Sequence, residues 1–313
     1  MARGGKNPGS RSAVESNVTP TEDAGGPRRK ICRPEYREEH LEPNTIFLVQ
    51  QDEVEASYPT SLSKLLKDIM TRRVSKAPSI QEVRTRKSLQ ELSDYPAESQ
   101  VASFFERMVF TDKREGAANF LLRHERVWMK KIHVPKNPES DTEVSTPVPD
   151  MLYGYSHRHS TPFSKEELRT QTRVLPGGLA AANSSRLRFP FLVIEIKGDE
   201  PFRQAVNQCL GGASTCVRIT NRLNEKIQLL PAAQATPVET AAFSVAINNL
   251  IAGVYVTWFH NNKYLTREVE QFSLNSRKPD DFIRLYHVIQ NILHWGQGKR
   301  LNEIKAGLAA LTE

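Results

Sequence analysis

Hydrophobic and polar positions change their period along the chain, from helical spacing in the first third to strand-like spacing further on. In 61–70 and 97–109, apolar residues recur every three or four positions, as on one face of a helix. After Pro135 the pattern becomes typical of strands, and the strongest strand signal is the apolar run within 188–197. We therefore predict a mostly helical part followed by a β-sheet.

The segments that follow mix strand and helix patterns. A capping box from Ser164 to Glu167 starts one helix inside a polar insertion over 156–187. A helical stretch is predicted at 202–222, and Pro279 opens an amphipathic helix near the end. Other strands are predicted at 149–153, 242–246, 251–259 and 263–272. This alternation predicts an α/β fold with a helical C-terminus.

Composition separates an N-terminal arm from one folded unit. Residues 1–35 consist largely of Gly, Ser, Pro and other polar residues, so we expect a disordered arm. A basic cluster from Pro27 to Lys30 is typical of a nuclear address, and a solvated tail is the alternative. The remaining 36–313 predict a single domain. Its mostly helical part, sheet core and closing helices are expected at 36–135, 136–275 and 276–313.

The overall composition restricts the class of protein. With 313 residues, 38% of them hydrophobic, the chain is neither fully disordered nor a fibrous repeat. Three cysteines cannot build a disulfide framework and no apolar segment follows Met1, so we expect an intracellular protein of the nucleus or cytoplasm. The apolar stretch 241–259 contains two asparagines, which favours buried strands over a membrane span. No membrane partner is expected.

Positive charge is concentrated in two segments. The chain has 43 Lys and Arg against 36 Asp and Glu, while 61–90 alone carries a net charge of +6 and 113–136 a net charge of +5. We expect these segments to contact the phosphates of DNA or RNA without reading the sequence. The alternative for both is an ordinary solvated surface.

The strand over 188–197 ends in two charged residues. The strand period of two puts Glu195 and Lys197 on the same sheet face as Val193. Because the rest of the strand is apolar, the pair is expected at the edge of a core, where charges are costly unless they act together. A strand-end salt bridge is the alternative. A second carboxylate, Asp150, stands at the start of an earlier predicted strand.

Pro149-Asp150 followed by Glu195-Ile196-Lys197 resembles the PD-(D/E)XK nuclease superfamily. More of the chain resembles the uncharacterised PD-(D/E)XK nuclease-like domain that is widespread in filamentous fungi, over about residues 36–308. The segments that carry this resemblance are 147–155, 191–199, 207–212, 291–296 and 300–305. It implies a restriction-endonuclease-like core, which is a central mixed sheet flanked by helices, with a helical N-terminal extension.

The resemblance also implies an activity, the hydrolysis of phosphodiester bonds by a metal-dependent nuclease. Asp150 and Glu195 are expected to bind Mg²⁺, or alternatively Mn²⁺, because these ions prefer oxygen ligands. Lys197 is expected to hold the attacking water or to help deprotonate it. A non-catalytic module on the same fold that binds nucleic acid or protein stays open as an alternative.

Two further site residues follow from the superfamily pattern. Glu98 falls on the apolar stripe of the predicted helix at 97–109 and is expected as a third metal-binding carboxylate; stabilisation of the helix N-terminus is its alternative role. Gln208 is expected to touch the water or a phosphate. Its alternative role is a helix cap or an amide satisfied by neighbouring backbone.

Overall fold

A seven-stranded mixed sheet forms the centre of the protein. The computed structural model describes residues 31–50, 59–71, 77–94, 96–110, 121–157, 161–231 and 236–312. The strands are β1 (Ile46–Leu48), β2 (Leu121–His124), β3 (Met151–Tyr155), β4 (Arg188–Ile196), β5 (Ala242–Ile247), β6 (Ile251–His260) and β7 (Lys263–Ser273). Their order is β1-β7-β6-β5-β4-β3-β2. The β1–β7 and β4–β5 pairs are parallel, and the other four are antiparallel.

Helices cover this sheet and close the chain. They are α1 (Thr60–Thr71), α2 (Ile80–Thr85), α3 (Lys87–Gln90), α4 (Glu98–Met108), α5 (Lys165–Val174), α6 (Phe202–Ile227), α7 (Pro279–Trp295) and α8 (Leu301–Ala310). A π-helical turn, Gly296–Arg300, joins the last two. The predicted capping box is present at α5, where Ser164 and Glu167 each bond the other's backbone N–H. The α/β class, the mixed sheet flanked by helices and the helical C-terminus are confirmed.

The longest helix, α6, forms the closest contact with the sheet. It packs across β4, β5 and β6. A Cβ added at Gly212 would lie 3.0 Å from Cγ1 of Val193, so the absence of a side chain there lets the helix approach β4. Since Glu195 and Val193 share a face of β4, the charged end of this strand also lies under α6.

The part predicted to be mostly helical also supplies both edges of the sheet. The outermost strands, β1 and β2, come from this part and are three and four residues long. Strands this short show no readable alternation, which is why the hydrophobic pattern missed them. β1 pairs with β7, and β2 pairs with β3. Each of these partner strands lies outside the part of the chain that was predicted to be mostly helical.

Several predicted segments lie partly outside the described residues. The residues outside the described ranges include the first 30 of the arm and residues 72–76 and 113–120 of the basic segments. The end of the arm is described: the Ile31 carbonyl accepts a 3.1 Å hydrogen bond from Nδ2 of Asn207, so this part of the expected arm contacts the folded domain. Across the described ranges, no helix is long and apolar enough to span a membrane.

Candidate active site

Asp150 and Glu195 meet at the end of the β3–β4 strand pair. Met151 lies opposite Ile194 in this antiparallel pair, so the next step of the register places Asp150 opposite Glu195. Residues opposite one another have Cα atoms about 4.5–5.5 Å apart and project to the same face. Oδ2 of Asp150 accepts a 2.7 Å hydrogen bond from the backbone N–H of Ile196. The register therefore places the two predicted acidic residues opposite each other at the end of the strand pair.

Lys197 lies among the predicted carboxylates. Its Nζ is 3.4 Å from Oε2 of Glu98 and 4.0 Å from Oδ2 of Asp150, and its side chain is only 7% exposed. Burial by itself lowers the pKa of the ammonium, but the carboxylates of Glu195, Asp150 and Glu98 outweigh burial and raise the pKa of Lys197 above its ordinary value. Lys197 is therefore a protonated hydrogen-bond donor at neutral pH.

The pKa of Asp150 is raised above its ordinary value, as expected for a buried carboxyl group. Burial raises its pKa, and the nearby Glu98 carboxylate raises it further. The hydrogen bond from Ile196 and the charges of Lys197 and Arg126 lower it, but only in part. Because its positive neighbours only partly offset its burial, the charged form of Asp150 would be stabilised by an additional cation beside it.

Arg126 is a site residue that the sequence indicated only as part of a basic segment. Its Nη2 lies 3.2 Å from Oε1 of Glu98 and its Nε lies 3.4 Å from Oδ1 of Asp150. The residue has a φ of 52°, a left-handed conformation that is unfavourable outside glycine, and its N–H donates to the Pro149 carbonyl at 2.9 Å. Such strain is concentrated at functional sites. No motif marks Arg126, because the fold alone creates these contacts.

Glu98 stands at the first position of α4, between Arg126 and Lys197. A neighbouring glycine makes this position possible: a Cβ added at Gly198 would lie 2.7 Å from the Pro96 carbonyl oxygen and 3.0 Å from the Glu98 nitrogen. The start of α4 can therefore touch the end of β4 only because residue 198 has no side chain. The close approach explains how Glu98 reaches Lys197.

We expect Gly198→Ala to separate α4 from β4. The added methyl group must push back the backbone at Pro96, which costs about 1–3 kcal/mol of the free energy of unfolding and draws Glu98 away from Lys197. Urea denaturation measures the loss. Gly211→Ala is the control, because its Cβ would lie no closer than 3.6 Å to any neighbour and it removes a glycine from a helix. Equal stability of the two variants would contradict the close-approach argument.

A cleft of about 940 Å³ contains all five predicted site residues, Glu98, Asp150, Glu195, Lys197 and Gln208. Gln208 lies on α6, and its Oε1 is buried with no hydrogen-bond partner among the described residues. An unsatisfied buried acceptor costs about 1–3 kcal/mol and calls for an explanation such as a bound water or a catalytic role. Its neighbour Asn207 differs, since its side chain bonds Arg37 and Ile31 and has a structural role.

Acidic side chains outnumber basic ones in the cleft. Of the described residues, six Asp and Glu line it, and the Lys and Arg residues that do so are Arg126, Lys131 and Lys197. Lys131 forms a 2.7 Å ion pair with Glu143. Of the two predicted basic segments, 113–136 therefore reaches the cleft. No described residue of 61–90 lines it; α1 and α2, which belong to that segment, pack on α7 instead.

Asp150 and Glu195 fit a divalent cation as a pair of oxygen ligands. Within the described ranges, no group of three or more His, Cys, Asp or Glu side chains is arranged to hold a metal ion. Mg²⁺ commonly takes only one or two carboxylates and completes its shell with water and substrate phosphate, so a pair meets its needs. Arg126 and Lys197 contact both Glu98 and Asp150. The three carboxylates and two basic groups leave one net negative charge, which favours a cation.

A comparison with protein families gives one match. A family model described as a domain of unknown function, DUF7924, matches residues 85–308, from the end of α2 into α8. This range includes every predicted site residue together with Arg126. No curated protein matches the chain.

Proposed function

The chain belongs to the DUF7924 family, a domain of unknown function, and we propose that it is a metal-dependent nuclease of the PD-(D/E)XK superfamily that hydrolyses phosphodiester bonds of DNA or RNA. One observation carries the proposal: Asp150 lies opposite Glu195 across β3 and β4, and Lys197 lies beside them with its ammonium buried. Two oxygen ligands and a buried donor at one end of a cleft are the chemistry that phosphodiester hydrolysis needs.

Asp150 and Glu195 are the residues that would hold Mg²⁺ or Mn²⁺. When bound, such an ion lowers the pKa of a water and neutralises charge that develops on the phosphate. The hydrogen bond from the Ile196 N–H leaves Oδ1 of Asp150 to face the cleft, where Arg126 now contacts it. Glu195 is 1% exposed, so its carboxylate is largely removed from water.

Lys197 acts as a donor. Its raised pKa keeps the ammonium charged at neutral pH, so it can hold the attacking water and stabilise negative charge in the transition state. Removing a proton from the water would require a neutral amine, and the ion pair with Glu98 disfavours that form. Between the two roles expected from the resemblance, the geometry supports holding the water.

Glu98 and Arg126 are positioning residues in this proposal. Glu98 binds Lys197 on one side and Arg126 on the other, which fixes the direction of the ammonium. The Arg126 side chain is 62% exposed and can exchange a carboxylate for a phosphate oxygen of the substrate.

Gln208 supplies an acceptor that carries no charge. A water held by cations has its protons directed outward, and the unsatisfied Oε1 of Gln208 can accept one of them. The amide NH₂ of the same side chain can donate to a phosphate oxygen. We propose that Gln208 orients the attacking water in this way.

The proposal is tested by incubating the purified full chain with single- and double-stranded DNA and RNA, in Mg²⁺ or Mn²⁺ and in EDTA. We expect hydrolysis of at least one substrate with the divalent cation and none with EDTA. Intact substrates under every condition would contradict the proposal.

A binding module on the same fold is the second candidate. It is favoured by one observation, that Arg126 and Lys197 already neutralise much of the charge of Asp150 and Glu98. This candidate predicts that nucleic acid or protein is retained without being cleaved in the same assay.

A further inference from the structure

Trp128 exposes a large aromatic surface inside the candidate active-site cleft. Its residue is 60% exposed, whereas the other two tryptophans, Trp258 and Trp295, are 1% and 6% exposed. Trp128 lines the same cleft as Asp150 and Glu195. An indole left in water at a cleft wall is a surface that a ligand can cover.

The backbone around Trp128 is held on both sides. The N–H of Met129 donates to the Pro147 carbonyl at 2.9 Å, and the N–H of Lys130 donates to the Ala182 carbonyl at 2.7 Å. The Met129 side chain is buried, at 1% exposed. The indole is therefore exposed on an anchored segment, so covering it costs little ordering of the backbone.

Trp128 lies two residues along the chain from Arg126, which contacts the carboxylates. Two residues of chain span at most about 7 Å, so the Cα of Trp128 lies within that distance of the Cα of Arg126. Arg126 itself contacts Asp150 at 3.4 Å. A flat group attached next to a phosphate bound at Arg126 can thus reach the indole.

We infer that Trp128 is a base-stacking platform and that the cleft takes a single strand of nucleic acid whose unstacked base lies next to the reacting phosphate. This inference rests on the proposed function and names its substrate class. A nucleobase is the flat group that adjoins every phosphodiester of such a substrate. Aromatic side chains bind any base through its π-face, which needs no sequence readout.

The geometry favours a single strand over a duplex. In a duplex both faces of each base are covered by its neighbours, so stacking on an indole requires the base to leave the helix. A single strand, a loop or a frayed end offers the face without that cost. The cleft wall carrying Trp128 is therefore selective for unpaired nucleotides.

The test titrates a dye-labelled single-stranded oligonucleotide, and separately its duplex, with the full chain in EDTA and in Ca²⁺. The anisotropy of the dye gives the Kd of every variant, and the tryptophan emission of the wild type reports stacking. Since Trp128 is the exposed tryptophan, stacking should quench its emission. We expect the single strand to quench and bind more tightly than the duplex, and Trp128→Ala to raise its Kd about 10- to 100-fold. Trp128→Phe, which keeps a ring, should recover most of the affinity.

Ile132→Ala is the matched control, because Ile132 follows in the same segment and is 59% exposed but does not line the cleft. Its Kd should equal that of the wild type. An unchanged Kd in Trp128→Ala, or equal binding of strand and duplex, would overturn the inference. Quenching by an arginine-rich peptide and not by the oligonucleotide would also overturn it. That result would show that the indole binds a cation rather than a base.

Failure here and failure of the proposed function give different results. If the chain is no nuclease but Trp128 stacks a base, the strand quenches and binds while no substrate is cleaved. If the chain is a nuclease without this platform, cleavage proceeds while Trp128→Ala binds and cleaves like the wild type.

Discussion

Replacing Lys197 with methionine is expected to lower the kcat of metal-dependent hydrolysis by about 10²- to 10³-fold. Methionine keeps an unbranched apolar stem but removes the buried ammonium that holds the water and meets negative charge in the transition state. The concentration of Mg²⁺ that gives half the maximal rate should not rise, because the loss of a positive charge makes the carboxylates more attractive to a cation. Initial rates across a Mg²⁺ series measure both quantities.

The matched control for this change is Lys299→Met. Lys299 is 52% exposed and contacts Glu303 on the surface, far in sequence from the cleft residues. Its kcat should equal that of the wild type. Thermal unfolding of Lys197→Met shows whether the variant is folded at the assay temperature. A folded Lys197→Met variant with a kcat within twofold of the wild type would show that the ammonium has no part in the reaction.

Among the glycine-to-alanine variants proposed for this protein, Gly296→Ala is expected to lose the most free energy of unfolding. A Cβ at this position would overlap Cζ and Cε2 of Phe191 and lie 2.8 Å from Cε1. The Phe191 ring is fully buried and stacks on Tyr155, whose hydroxyl donates a 2.7 Å hydrogen bond to the Gly296 carbonyl. Because the ring has no space to move into, we expect a loss of about 3 kcal/mol, at the upper end of the range for overpacked cores.

Gly298→Ala tests whether this loss is steric. Gly298 belongs to the same π-helical turn, and a Cβ there would meet nothing within 4 Å. Its free energy of unfolding in urea should match or slightly exceed that of the wild type, since alanine restricts the unfolded chain more than glycine does. If both variants lose the same free energy, the overlap with Phe191 is not the cause.

The long elements of the fold could be predicted because their signals are local. The apolar run of β4 and the capping box at Ser164 both lie within a few consecutive residues. The edge strands β1 and β2 could not be predicted, since they are short and their partners lie far along the chain.

The candidate site shows the same division. The strand period places Glu195 and Lys197 on one face, and the resemblance to the PD-(D/E)XK superfamily adds Asp150. The β3–β4 register then supplies the pairing that the sequence alone leaves open. Arg126 could not be predicted, because its contacts depend on a left-handed φ and on a hydrogen bond to Pro149. The need for glycine at position 198 could not be predicted either, because it depends on how closely the start of α4 approaches the end of β4.

The most direct measurement of the central claim is hydrolysis of a labelled oligonucleotide in Mg²⁺ by the wild type, Asp150→Asn and Asp94→Asn. Asparagine keeps the shape of Asp150 but removes the charge that a cation requires, whereas Asp94 is exposed and does not line the cleft. The account predicts that hydrolysis is lost in Asp150→Asn and unchanged in Asp94→Asn. Hydrolysis at the wild-type rate by Asp150→Asn would contradict it.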